Sequence, residues 1–217
     1  VKGEIMSSIK DSNLASKGAE EINWATRQMQ VLEEISNEFA VSKPLNGLNI
    51  GACMHVTKET ANLMMTLKTA GANIALCASN PLSTNDSVAA FLAENDIEVH
   101  AIRGVSNDEF FKHLNLVLDS NPDITMDDGA DLVTLLHTDR SEISVLGSME
   151  ETTTGVIRLK SMEKNNKLRF PVVAVNDSDT KHLFDNRFGT GQSSMDGVVR
   201  ATDLLIAGLN VVVFGFG

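Results

Sequence analysis

The sequence predicts an α/β fold: a mainly parallel sheet with helices on both faces. Three observations predict it. Short apolar runs recur along all 217 residues, helical patterns separate them, and polar loops follow their ends. A strand covered on both faces reads as a continuous apolar run, and regular alternation with helices marks parallel crossover connections.

The elements can be taken in order. Residues 1–43 are polar and helical in pattern. Ile22, Met29 and Leu32, with Trp24 and Ile35 near the same face, predict an amphipathic helix that packs on something larger. Pro44 and Gly47 close it. LNIGACM (48–54) predicts a first strand, Thr57 to Leu67 a helix, and NIALCAS (73–79) a second strand followed by the loop NPLST. Ser87 to Glu94 reads as a helix, IEVHAI (97–102) as a third strand and Asp108 to Leu118 as a helix. ITMDD (124–128) is a fourth strand ending in two carboxylates, Leu132 to His137 a short helix, and VLGSMEE (145–151) a strand or extended loop. Thr154 to Lys164 is helical and FPVVAV (170–175) is another buried strand. Ser193 to Ala207 is a helix, and LNVVVFG (209–215) a final strand.

Composition works by exclusion. Hydrophobic content of 42% with 22% charged residues is ordinary for a globular chain. A formal charge of −11 argues against nucleic-acid binding, which shows a basic face. Cys53 and Cys77 are the only cysteines and support neither a disulfide framework nor a zinc site, so no metal is expected. That usage fits a reducing, cytoplasmic setting. No apolar run is long enough to span a bilayer and no signal-peptide pattern occurs, so no membrane partner is expected. The chain begins at Val1 and stops just after VVVFGFG, which reads as a fragment.

Candidate chemistry gathers at strand ends, where open α/β sheets bind their ligands. MHVTKET, SNPLST, MDDGAD and EETTTG each follow a strand; any one can be a capping loop, but parallel strands bring all of them to one edge. In the first group His55 can shuttle a proton near neutral pH. Thr57 is equally a helix N-cap with Thr60 at the N3 position, and Glu59 lies between them. Asp127 and Asp128 are adjacent at a strand end and point to opposite sides, so only one can face the crevice. Asp131 suits a cap for the helix after it. Glu150 and Glu151 precede Thr152, Thr153 and Thr154, whose hydroxyls can donate to a carboxamide or phosphate at a helix start, or simply cap it.

The densest stretch is NDSDTKHLFDNRFGTGQSSMDGVVRATD (176–203), with Lys181, Asp185 and Asn186 inside six positions. Gly189 and Gly191 are expected to loosen the backbone, and Ser193 to cap the following helix. A lysine beside a carboxylate can hold a substrate hydroxyl and move its proton. A Lys/Asp pair four apart is also common on a solvated helix. Gly215 and Gly217 in VVVFGFG supply the first half of a G-x-G-x-x-G dinucleotide fingerprint, weak evidence alone.

NDSDTKHLFDNRFGTGQSSMDG followed by RATDLLIAG resembles the hinge and active-site segment of the S-adenosylhomocysteine hydrolases. HVTKET resembles that family's HMTxET box, MDDGAD its DDGGD, and EETTTG one of its hallmarks. The resemblance implies a substrate-binding domain over residues 1–183, then the hinge and the truncated start of an NAD-binding domain over 184–217. It also implies the family's chemistry. Bound NAD⁺ oxidises the ribose 3′-hydroxyl of S-adenosylhomocysteine, the ketone acidifies the 4′ proton, homocysteine leaves, water adds and the ketone is reduced again.

By the same resemblance Thr57, Glu59 and Thr60 line the purine pocket, His55 sits near the departing sulfur, and Asp128 serves the 5′ side. Glu151 is implied as a ribose ligand, and Thr152, Thr153 and Thr154 as NAD contacts. Lys181 and Asp185 are implied to position and deprotonate the 3′-hydroxyl, Asn186 to orient the nicotinamide, and Gly215 and Gly217 to begin the NAD fingerprint. Two departures stand out: Ala130 replaces a glycine, and Thr190 replaces a cysteine common in the family, so any thiol role there is absent. The implied partners are S-adenosylhomocysteine, adenosine and homocysteine, with a homotetramer for the full-length protein. A nucleoside-binding regulator needs the pocket but not Lys181 and Asp185. A dehydrogenase with net redox turnover has no reason to carry HVTKET or EETTTG.

Overall fold

The computed structural model describes residues 7–215, so the start of the predicted N-terminal helix and Gly217 lie outside the described residues. The chain divides into two compact units, with the division between Val175 and Asn176.

In the first unit six strands form one sheet in the order β3-β2-β1-β4-β5-β6: β1 Asn49–Cys53, β2 Asn73–Cys77, β3 Glu98–His100, β4 Ile124–Asp127, β5 Gly147–Glu150 and β6 Val172–Ala174. Every pairing is parallel. Side chains alternate between the faces of a strand, and each face has its own core. Ile50, Ala52, Ile74 and Leu76 meet Ile22, Met64, Val88 and Leu92 on one side. Cys53, Ala75 and Cys77 meet Leu114, Val117, Leu132 and Leu136 on the other. Cys53 and Cys77 are register partners and free thiols. A hydrogen bond to Cys77, reinforced by burial, pushes the Cys53 thiol well above its ordinary range, so it is an inert core residue.

The covering helices are α1 Ala15–Thr26, α2 Gln30–Ser42, α3 Lys58–Thr69, α4 Asp86–Glu94, α5 Asn107–Asp119, α6 Asp131–His137 and α7 Thr153–Lys164. The N-terminal region is therefore two helices rather than one amphipathic helix. Met29 leaves helical geometry at φ −116° and ψ 47°, and breaks the pattern there. Ile22 is buried, but Trp24 is 62% exposed. Positions two apart on a helix are about 200° apart around it, so they cannot share a face. Helix α2 contributes no buried residue to the core.

The second unit opens with a short 3-10 turn (Val175–Asp177, whose first residue belongs to the first unit) and one helical turn, α8 Asp179–Lys181. A π-helical segment, His182–Gly189, then runs directly into α9 Thr190–Thr202. Gly189 is helical at φ −64°, and the Ser193 hydroxyl donates back to Gly189 O at 2.8 Å, so neither glycine loosening nor an N-cap at Ser193 occurs. Helix α9 stops five residues short of the expected end, with Asp203 in the left-handed region at φ 52°. Asp is one of the few residues that tolerates that conformation. Residues 209–215 form no strand. A strand needs a neighbour for its N–H and C=O groups, and Val211 to Phe214 are exposed with no pairing partner among the described residues.

Candidate active site

Strand order reverses between β1 and β4, and an open α/β sheet binds ligands outside the carboxyl ends of its strands at such a switch point. A cavity of about 950 Å³ opens there, lined by His55, Thr57, Glu59, Thr60, Asp128 and Glu151. Its apolar wall includes Met29, Leu32, Ile35, Met54 and Leu63. The first three are residues that periodicity assigns to a packing face. They face a cavity because α2 lies beside the sheet's carboxyl edge rather than over its core.

His55 follows β1 by two residues and is oriented from both nitrogens. Its Nε2 lies 3.1 Å from Asp128 Oδ2, and its Nδ1 lies 3.0 Å from Ser79 Oγ. Asp128 follows β4 directly, its N–H donating to Cys53 O at 3.0 Å, so β1 fixes the position of its backbone. A histidine held by a carboxylate on one side and a hydroxyl on the other can accept and return a proton without losing its orientation. The sequence marks SNPLST as a polar strand end without singling out Ser79. In the rest of that loop Asn80 Oδ1 accepts from Leu82 N at 2.9 Å, an ordinary turn.

Thr57 is the N-cap of α3, accepting from Thr60 N at 3.3 Å, while both residues also line the cavity. Capping and cavity lining coexist because the first turn of α3 is the rim. Glu59 sits in that turn.

Beneath Asp128 and Glu151 lies a layer that sequence reasoning missed. Asp127 is 1% exposed and Glu150 0%. Asp127 Oδ2 accepts from Val133 N at 2.9 Å and so caps α6. The expected cap, Asp131, is instead the first helical residue and pairs with Arg158 at 3.7 Å, because Ala130 takes the N-cap position in a left-handed conformation at φ 61°. Glu150 Oε1 accepts from Gly129 N at 2.9 Å and Thr152 N at 3.0 Å. Burial, opposed by the bond from Val133 N, pushes Asp127 up to about 7. Burial likewise raises Glu150 above the carboxylate range. Thr152 stands at the N-cap of α7 with no side-chain capping bond, and its own N–H donates to the Glu150 carboxylate.

In the second unit Lys181 Nζ donates to Asn176 Oδ1 at 2.7 Å and Asn186 Oδ1 at 2.8 Å, and lies 3.4 Å from Asp185 Oδ2. The wider π-helical turn closes i to i+5 rather than i to i+4, which suits the Lys181–Asn186 spacing. The pairing is therefore more than a solvated i, i+4 ion pair. Thr190 donates to Asp185 O at 3.5 Å. Gly215 is described, at φ +101°, while Gly217 is not. Among the described residues no cluster of His, Cys, Asp and Glu could hold a metal ion, and no helix is long and apolar enough to cross a membrane.

A sequence model of the S-adenosyl-L-homocysteine hydrolase family matches residues 6–146 and 140–211. The chain belongs to that family. It is 56% identical over 214 residues to an S-inosyl-L-homocysteine hydrolase of Methanococcus maripaludis, covering 98% of this chain and 52% of the relative. It is 53% identical over 211 residues to an adenosylhomocysteinase of Pyrococcus abyssi, covering 96% and 50%. A second S-inosyl-L-homocysteine hydrolase, from Methanocaldococcus jannaschii, is 52% identical over 214 residues, covering 98% and 52%. The chain thus spans about half the length of these family members.

Proposed function

We propose that this chain carries the substrate side of an enzyme that reversibly hydrolyses S-adenosyl-L-homocysteine to adenosine and L-homocysteine through transient 3′-oxidation. The observation that carries this reading is the cavity at the β1/β4 switch point, where one apolar wall faces proton-handling groups and carboxylates. Its volume falls within the range of small-molecule sites. The wall of Met29, Leu32, Ile35 and Leu63 suits a purine ring, and Thr57, Glu59 and Thr60 offer its edge hydroxyls and a carboxylate. Glu151 accepts from ribose hydroxyls. His55, held against Asp128, exchanges a proton on the 5′ side, where the thioether leaves and water enters.

Lys181 and Asp185 hold the 3′-hydroxyl and accept its proton. Asn176 and Asn186 restrict the amine to one position, which a transferring group needs. Thr152, Thr153 and Thr154 at the start of α7 are proposed to contact NAD through their hydroxyls, and the carboxamide of Asn186, in the second unit, to orient its nicotinamide. NAD supplies a hydride acceptor when bound. The full-length protein is proposed to be a cytoplasmic homotetramer.

A second reading has support of its own, since two relatives are named S-inosyl-L-homocysteine hydrolases. Adenine offers an exocyclic amine donor where hypoxanthine offers a carbonyl acceptor. A Glu59 carboxylate accepts from the adenine amine or from hypoxanthine N1–H, and the carboxamides of Gln28 and Gln30 on the same cavity likewise serve either base, so the lining admits both. Competing the two thioethers on the full-length protein decides between them through the ratio of kcat/KM.

The test of the mechanism is Lys181→Ala in the full-length protein, read by single-turnover formation of bound NADH on mixing with nucleoside. A positioned base contributes about a hundred- to ten-thousand-fold, so the oxidative step is expected to slow by that factor with substrate affinity little changed. Near-normal NADH formation means that Lys181 is only a structural partner of Asp185.

A further inference from the structure

Two carboxylates lie under the cavity without touching it. Asp127 and Glu150 are register partners at the carboxyl ends of β4 and β5, both almost completely shielded from solvent. Each spends one oxygen on backbone N–H groups, and among the described residues Asp127 Oδ1 and Glu150 Oε2 have no hydrogen-bond partner. The nearby cation does not serve them: Arg158 donates to Gly129 O at 2.9 Å and pairs with Asp131.

The bonds that Glu150 does make are informative. Gly129 is the residue after Asp128, and Thr152 is the residue after Glu151. One buried oxygen therefore ties the loop carrying Asp128 to the loop carrying Glu151. A third bond runs the same way, from Glu151 N to Asp127 O at 2.9 Å. The space for the carboxyl is made by Gly155, where an added Cβ would lie 2.2 Å from Glu150 Cδ. This is a built arrangement beneath the cavity.

We propose that Glu150 is a positioning residue for the reaction. From beneath the cavity its carboxyl clamps the Asp128 and Glu151 loops in register, and with Asp127 it forms a buried acid pair that keeps one proton while the site is ordered. The inference rests on the functional reading above. Its physical basis is that two desolvated carboxylates close together without a cation cannot both ionise cheaply. The raised proton affinities of Asp127 and Glu150 agree with this. The other ionisable groups that bear on the pair add negative charge or stay neutral: Asp128 at the end of β4, Asp131 on α6 and Cys53 on β1. Rising pH removes the shared proton, places a second charge under the floor and loosens the clamp, so activity falls on the alkaline side.

The experiment compares Glu150→Gln and Glu150→Ala in the full-length protein. It reads kcat and KM against pH, together with hydrogen exchange at the Gly129 and Thr152 amides. Glutamine keeps the accepting oxygen and carries no charge. It is expected to keep kcat within a few-fold of wild type, to retain amide protection, and to lose the part of the alkaline fall that Glu150 causes. Alanine removes the clamp and is expected to lower kcat about ten- to a hundred-fold, the range for residues that orient functional ligands, and to speed exchange at both amides. Wild-type exchange in Glu150→Ala overturns the clamp. If that variant does not fold, Glu150→Gln decides alone: an unchanged pH profile or unprotected amides overturns the proposal. Absence of thioether hydrolysis by the wild type overturns the functional reading instead, while the exchange data still judge the clamp.

Discussion

At the end of β4 and again at the end of β5 two carboxylates stand side by side in the chain, and in both places they part. Asp128 and Glu151 go to the cavity, whereas Asp127 and Glu150 go into the protein. The outer pair lines the cavity, with Asp128 set against His55. The inner pair belongs to the fold, capping α6 and tying two loops together, and burial raises its proton affinity. The same side-chain chemistry one residue apart thus does two jobs, because a strand turns alternate residues to opposite sides.

The sharpest way to break this contrast is Asp128→Asn. If the outer acid acts on the ligand, kcat is expected to fall about a hundred- to ten-thousand-fold, as for loss of a general acid–base partner, with the thermal midpoint almost unchanged. An equal loss of stability would place Asp128 with the inner pair.

Asp127→Asn probes the other side. Folding raises the affinity of this carboxyl for its proton, from the ordinary range up to about 7. The unfolded chain therefore ionises first as pH rises. The contribution of Asp127 to stability is full below the unfolded value and is lost as pH climbs through the folded one. A tenfold change in proton affinity is worth about 1.4 kcal/mol, which makes the pH-linked loss a few kcal/mol in order of magnitude. Asparagine keeps an acceptor for Val133 N and does not titrate. Denaturant unfolding of the variant should accordingly show a smaller drop in stability between about pH 4 and pH 8 than wild type, that window following from the linkage.

The smallest effect is expected from Gly155→Ala. In most helices this change stabilises by up to about 1 kcal/mol. Here the new methyl meets the Glu150 carboxyl, and overpacking typically costs about 1–3 kcal/mol. The sign should reverse to a net loss, read as a lower thermal midpoint. The loss should disappear in a Glu150→Ala background, where the methyl has room; persistence there would mean that Gly155 is needed for another reason.

Much of this is legible in the residues. Apolar runs such as NIALC and ITMD, separated by helical patterns, are enough to place the strands of a parallel sheet. Alternation at a strand end limits the crevice to one of Asp127 and Asp128, and the loop groups HVTKET, MDDGAD and EETTTG mark the carboxyl edge. The misreadings have local causes. Trp24 joins the Ile22 face only when apolar character is weighed over helical angle. The strand expected at 209–215 has the right composition, but composition cannot supply a neighbour to pair with.

The sequence by itself determined the alternation of elements, the apolar faces and the edge where polar loops collect, because each depends on residues a few positions apart. Only the tertiary structure decided which groups meet. Ser79 reaches His55 across 24 positions, Glu150 reaches Gly129 across 21, and Met29 and Ile35 become a cavity wall rather than a core face. Those contacts depend on strand order and register, and strand order is set by how six strands bury both faces of one sheet together. No local pattern encodes that.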